Sequence, residues 1–155
     1  MFYKTHYDSP IGILEISGTD EGITGVHFVE KKTDPDPAIP LPLKDCCRQL
    51  YEYFVGNRTE FSLKIQLEGT NFQKSVWNQL MKIPYGKTVS YKDIASAIDN
   101  EKAVRAVGSA NGKNDIAIII PCHRVIAYDG TLGGYGGGLW KKEWLLNHEK
   151  RFGLV

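Results

Sequence analysis

Apolar and polar positions alternate along the N-terminal part of the chain and then change period. Residues 2–8 (FYKTHYD) are rich in aromatic and β-branched types and stop at Ser9-Pro10-Ile11-Gly12, a turn composition. Residues 13–17, a second turn over 18–22, and residues 23–29 repeat the pattern, which predicts a three-stranded antiparallel meander. Residues 31–42 hold Pro35, Pro37, Pro40 and Pro42 and read as an extended surface connection. Leu43, Cys47, Leu50 and Phe54 then recur at helical spacing, up to Gly56-Asn57, and residues 61–67 read as one further strand. Residues 1–69 are therefore expected to form a small α+β domain.

From Gly69 onward the period is helical. Phe72, Val76 and Leu80, flanked by Trp77 and Met81, mark one helix face, closed by Pro84-Tyr85-Gly86. Ser90 followed by Asp93 is a capping-box pattern, opening a second helix with Tyr91, Ile94, Ala95 and Ile98 inward. A third helix offers Ala103, Val107 and Ala110, with Asn111-Gly112 as a left-handed cap. Two short helices around a tight turn suit a helix-turn-helix as well as plain close packing. The small residues Ala103, Ala106, Gly108, Ser109 and Ala110 allow close approach to another surface, and Arg105 is the long cation among them.

Residues 116–120 form an unbroken apolar run, expected to be buried on both faces and stopped by Pro121. Cys122, His123 and Arg124 follow at once. A thiol becomes a nucleophile when a base takes its proton or a charge stabilises its thiolate. By itself the pair suits a buried structural cysteine better than a reactive one. In extended backbone the two side chains would point to opposite faces, so direct contact requires a local bend or a bridging water. Residues 130–138 contain six glycines, read as a pocket wall, and the last helix places Trp140, Trp144, Leu145 and His148 near one face, with Glu149 beyond.

Composition narrows the class. An apolar content of 42% and charged content of 24% suit a globular protein, and the absence of any long apolar stretch or leader pattern makes a cytoplasmic protein the expectation, with no membrane partner. Three cysteines, two of them adjacent, make no disulfide framework, and no short Cys or His spacing supports a metal site. Residues 1–70 carry 7 basic and 11 acidic side chains, against 12 and 7 in residues 71–155, so the second half could meet a polyanion.

Taken together, Ile120-Pro121-Cys122-His123-Arg124-Val125, Ser90-Tyr91, Arg105-Ala106-Val107-Gly108, Asn114, Gly134-Tyr135 and Lys142-Glu143-Trp144-Leu145-Leu146 with Glu149 resemble the O6-alkylguanine-DNA alkyltransferases, the methylated-DNA–protein-cysteine methyltransferase family. The resemblance spans essentially the whole chain. It implies an α+β fold, with a ribonuclease-H-like domain over 1–69 and a mainly helical, winged-helix-like DNA-binding domain over 70–155. It implies single-turnover transfer of an alkyl group from O6 of guanine to Cys122, without cofactor or metal, by a monomer acting on double-stranded DNA. His123 and Glu149 would form the proton relay, Asn114 would hold the active turn, and Tyr91 would donate to the departing guanine. Tyr135, Gly136, Val125 and Ser90 would contact the base, although several relatives carry serine where this chain has Gly136. Ala103, Arg105, Ala106, Gly108 and Asn111 would enter the minor groove, with Arg105 filling the gap left by a flipped base, and Lys92, Lys102 and Lys113 would reach phosphates. A non-catalytic alkyltransferase-like lesion binder, a Cys-His hydrolase and a helix-turn-helix regulator are the competing classes.

Overall fold

Alternating burial along β2 (Gly12–Thr19), with Leu14 and Ile16 fully inside, organises the sheet. β1 (Tyr3–Ser9) and β3 (Gly22–Val29) flank it in an antiparallel meander, order β1-β2-β3, with a bulge at Ser17/Gly18. The computed structural model describes residues 1–153. They form two units, Met1–Glu68 with Asp115–Ala117, and Gly69–Asn114 with the chain from Ile118 onward.

In the first unit, helix α1 (Leu41–Phe54) covers the sheet. It starts inside the stretch expected to be an extended connection, because Pro42 lies in its first turn, where a missing N–H leaves no hydrogen bond unmade. Its buried face is Leu43, Cys46, Gln49, Leu50, Tyr53 and Phe54. Cys46, rather than the expected Cys47, therefore faces the core. Residues 61–67 are not a strand. The Gln49 amide takes both the N–H (2.8 Å) and the C=O (3.1 Å) of Ser62, so a side chain satisfies backbone that a ladder would have used. Only Ile65 bridges to β3, at Ile23.

The free edge of β3 is paired a second time from far along the chain. Val26 N–H donates to Asp115 O (2.8 Å), and Ala117 N–H donates to Val26 O (3.0 Å). The apolar run 116–120 is thus not one continuous segment. Ile116 serves the first unit, and Ile118 then turns back with φ 70°, a left-handed conformation that a β-branched residue adopts only at a cost of order 1–3 kcal/mol.

The second unit is built on helix α2 (Asn71–Leu80), opened by a Thr70/Gln73 capping box, and on α3 (Tyr91–Ala97), opened by the expected Ser90/Asp93 box. α4 (Val104–Gly112) packs on both, and Trp77 Nε1 donates to Ala110 O at 2.9 Å. The left-handed residue of this region is Asp99, φ 56°, after α3. The expected cap at Asn111-Gly112 is absent. There Lys113 N–H closes the last turn on Ser109 and Ala110, and its φ is −96°. Strand β4 (Val89–Ser90) pairs in parallel with β5 (Val125–Ile126). The terminal helix α5 (Leu139–Gly153) buries Lys142, Leu145, His148 and Glu149. Trp140 stands about 160° round the helix from Lys142 at about 100° per residue, and it is 59% exposed rather than inward.

Candidate active site

The site assembles within the second unit. Pro121 cannot continue a ladder, and beyond it Cys122–Arg124 form one 3-10 turn, with Arg124 N–H on Pro121 O (3.0 Å) and Val125 N–H on Cys122 O. Neighbouring side chains in such a turn diverge by about 120°, not the 180° of extended backbone. The turn narrows the divergence but does not bring thiol and imidazole into hydrogen-bond contact, because His123 Nδ1 has no partner among the described residues. Two amides brace the turn. Asn114 Nδ2 donates to Ile120 O (2.9 Å), and its side chain also hydrogen bonds the Cys122 thiol. Asn111 Nδ2 donates to Cys122 O (3.3 Å).

Beneath the thiol lies a buried charge network. The Glu149 carboxylate accepts from His123 Nε2 (2.6 Å), from Arg124 Nε (2.8 Å) and Nη2 (3.1 Å), and from the Gly86 N–H (3.2 Å). Gly86 can offer that N–H because its φ of 78° suits glycine. Arg124 Nη1 also donates to Ile83 O at 2.7 Å. A carboxylate only accepts, so His123 Nε2 must carry the proton, which leaves Nδ1 with a lone pair. That buried atom has no hydrogen-bond partner in the protein among the described residues.

Electrostatics set the resting protonation. Burial pushes the Cys122 thiol up, against the Asn114 hydrogen bond and the Lys142 charge. Burial likewise lowers the His123 imidazole, with Glu149 opposing. Burial would raise Glu149, but hydrogen bonds and charge from His123 and Arg124 outweigh it and hold the carboxyl well below the usual range. The resting site is thus a neutral thiol beside a neutral base oriented by an anion, the nucleophile–base–orienter arrangement.

A second cation completes it. Lys142 is fully buried, and its Nζ donates to Val125 O (2.7 Å) and Gly134 O (3.2 Å). Burial lowers it to about 8, with Cys122 opposing. Tyr91 is half-buried and hydrogen bonded to the Gly134 backbone; burial and the nearby Cys122 raise its hydroxyl. The glycine-rich loop closes over it: a Cβ at Gly133, φ 70°, would lie 2.7 Å from the Tyr91 hydroxyl. Tyr135 is raised by burial and by the nearby Cys122 and Glu149. At Gly136 a Cβ would meet nothing within 4 Å.

Of the residues expected from sequence, Cys122, His123, Glu149, Asn114 and Tyr91 fall in this one network, and Val125 joins it through its carbonyl. Ser90 is buried as the cap of α3. Arg105, Ala106 and Ser109 are exposed on α4, with Ala103 and Gly108 half-buried. Asn111, expected to reach DNA, is only 5% exposed, and its amide is committed to the Cys122 carbonyl. Arg124, Lys142, Gly86 and Gly133 carried no assigned role. A basic residue three positions before Leu145, on the stripe of α5 that also holds Glu149, was the available signal for Lys142.

Comparison with known proteins gives the family. Residues 71–151 match the family model described as 6-O-methylguanine DNA methyltransferase, DNA binding domain, and residues 2–67 match its ribonuclease-like domain. A methylated-DNA–protein-cysteine methyltransferase of Methanosarcina acetivorans is 47% identical, over 95% of this chain and 97% of that protein. The crystal structure of the Mycobacterium tuberculosis O6-methylguanine methyltransferase superposes with a TM-score of 0.89 at 44% identity, covering 97% of this chain and 94% of that one. The same Mycobacterium tuberculosis protein in complex with DNA matches with a TM-score of 0.88 at 44% identity, over 97% and 93%. With both family models matched in order and a nearly full-length relative at this identity, the chain belongs to the 6-O-methylguanine DNA methyltransferase family.

Proposed function

We propose that this protein repairs DNA by direct reversal, moving a methyl or larger alkyl group from O6 of guanine to Cys122. The thiol proton passes to His123 Nδ1, through a bridging water, and Glu149 stabilises the imidazolium that results. The sulfur then attacks the alkyl carbon, an S–C bond forms and the C–O bond breaks. The electron pair leaves with the guanine, to which Tyr91 donates a hydrogen bond or proton. Lys142 adds a positive charge near the developing thiolate. The product thioether has no proton to lose and no route back, so one protein molecule performs one transfer.

The alkyl carbon is out of reach inside a duplex, so the nucleotide must swing out at a cost of about a few kcal/mol. The exposed face of α4, with small side chains around Arg105, suits a minor-groove contact in which Arg105 fills the vacated place. Tyr135 packs on the purine, the Cys122 and Val125 carbonyls face its amino group, and the bare position at Gly136 leaves room for an adduct. The protein acts as a cytoplasmic monomer, and no described helix is long and apolar enough to cross a membrane. The observation that carries this reading is the buried Cys122–His123–Glu149 arrangement with His123 Nδ1 left as the base. A lesion-binding protein without chemistry has no use for it.

Incubation with an equimolar duplex containing one O6-methylguanine tests the proposal. The peptide containing residue 122 should gain the mass of one CH2, once per protein. Unmodified peptide, or many demethylated strands per protein, would refute it.

A further inference from the structure

Beyond the reacting atoms, one large aromatic side chain is held out in solvent by an ordered turn. Tyr128 is 78% exposed. The turn beneath it is fixed by Gly130 N–H on Ala127 O (2.9 Å), Ala127 N–H on Thr131 O (2.9 Å), and the N–H and hydroxyl of Thr131 on the Asp129 carboxylate (3.0 and 2.7 Å). Gly130, φ 89°, supplies the left-handed residue that the turn needs. An exposed ring on so constrained a turn gains nothing for the core.

Its neighbour is equally informative. In the parallel ladder Val89 lies beside Val125 and Ser90 beside Ile126; Lys92 lies on the helix that follows one strand and Tyr128 in the turn that follows the other. The Lys92 ammonium sits 4.8 Å from the centroid of the Tyr128 ring. Lys92 directly follows Tyr91 on α3, and Tyr128 is three residues beyond Val125, so the pair stands at the end of the ladder that carries the site. An open cleft of about 270 Å3 runs along this ladder, lined by Thr88, Val89, Ile126 and Ala127, with Tyr128 at its edge. Asp93, also on the cleft, is occupied with the Ser90 N–H, and Asp129 with Thr131. Among the described residues no carboxylate pairs with the Lys92 ammonium, which leaves it to an outside anion.

We infer that Tyr128 adds a second grip on DNA beside the phosphate contact that the resemblance implies for Lys92, the open face of its ring stacking on the adjoining sugar or base. A phosphodiester strand is the partner that offers an anion next to a flat apolar face at regular spacing. The second half of the chain is also the basic one, 12 basic against 7 acidic side chains over 71–155. The inference rests on the repair function proposed above, and its test separates the two.

Binding of the intact protein and its Tyr128→Ala, Tyr128→Phe and Lys92→Ala variants to a fluorescein-labelled O6-methylguanine duplex is followed by anisotropy across a salt series, with methyl transfer measured on the same samples. Tyr128→Ala should weaken binding about fivefold or more, the lower end for loss of one stacked base. Tyr128→Phe should stay within about twofold of the parent, since its ring face is intact. Lys92→Ala should reduce the slope of log K against log salt by about one unit, the loss of one phosphate contact. Tyr51→Ala, an exposed tyrosine on the first unit, is the control and should change nothing. Wild-type affinity in Tyr128→Ala, or an unchanged salt slope in Lys92→Ala, overturns the inference. The binding readout decides the pair whatever the transfer readout says, and failure of the unaltered protein to accept a methyl group overturns the repair function instead.

Discussion

Glu149→Gln keeps the shape of the buried carboxylate and removes its charge, which isolates what the network contributes. The wild-type group accepts four hydrogen bonds from His123, Arg124 and Gly86. The amide keeps one acceptor oxygen and turns an NH2 towards donors. The Arg124 guanidinium, its side chain 8% exposed, is left without a counter-charge. Breaking a buried pair from one side costs about 3–5 kcal/mol. At roughly 2–4 °C per kcal/mol for a chain of this size, Tm should fall by about 6–20 °C. Without its orienting anion, His123 should accept the thiol proton poorly, slowing single-turnover transfer by about 10²–10⁴-fold. Arg124→Met on the Glu149→Gln background removes the stranded cation and should restore part of the lost stability, though none of the lost rate. The pH dependence has a definite sign. The folded carboxyl lies below its usual range, so its stabilisation is present above the unfolded value of about 4.3 and is lost only as pH falls through the lower folded one. Calorimetry from about pH 2 to 7 would therefore show the stability gap between wild type and Glu149→Gln holding near neutral pH and closing below about pH 4, with rapid-quench assays reading transfer on the neutral side. A Tm within 2 °C of wild type, or a double variant no more stable than Glu149→Gln, would refute the network's role.

The acid limb of the transfer rate should lie below about pH 6.5, the ordinary histidine value, because burial lowers His123 and the imidazole must be neutral to act; a limb above 7 in a pH–rate profile would contradict this. Gly133→Ala should slow transfer and lower Tm by a few degrees, since the added carbon meets the Tyr91 hydroxyl at 2.7 Å in a left-handed backbone, whereas Gly134→Ala, with open space around it, should change Tm little; equal Tm values and rates for the two would remove Tyr91 from the argument. Arg105→Ala should reduce the transfer rate more than it weakens binding to undamaged duplex, as compared by quench kinetics and anisotropy. Alkylated Cys122, with carbon added at a buried, packed site, should destabilise the protein by about 1–3 kcal/mol, readable as a lower Tm after reaction.

Local chemistry was the part most legible in sequence. The turn residues at 9–12 and 18–22, the Ser90/Asp93 box and the period of α2 and α3 each act over a few positions, and the elements formed where they pointed. What depended on distant partners was not legible. The Gln49 amide, remote in sequence from Ser62, suppresses a strand that composition favoured. In the same way the pull of the β3 edge on residues 115–117 bends an apolar run that looked continuous. At the site, Cys122 and His123 announced themselves by adjacency. Spacing along α5 pointed at Lys142, but what Arg124, Lys142 and Asn111 each hold is fixed by carbonyls and a carboxylate that only the folded chain brings near.

The excursion at Asp115–Ala117 has a practical consequence. Three residues that directly precede the left-handed Ile118, and lie just upstream of the nucleophile, are stitched to a strand near the start of the polypeptide. Expressing residues 69–155 alone would strand that stitch without its fabric, and residues 1–68 alone would leave the hem of β3 open to any passing chain. In this chain the two matched segments are thus not separable cassettes. Swapping one between relatives would have to carry the matching side of this seam, or the reactive turn would be the first thing to lose its shape.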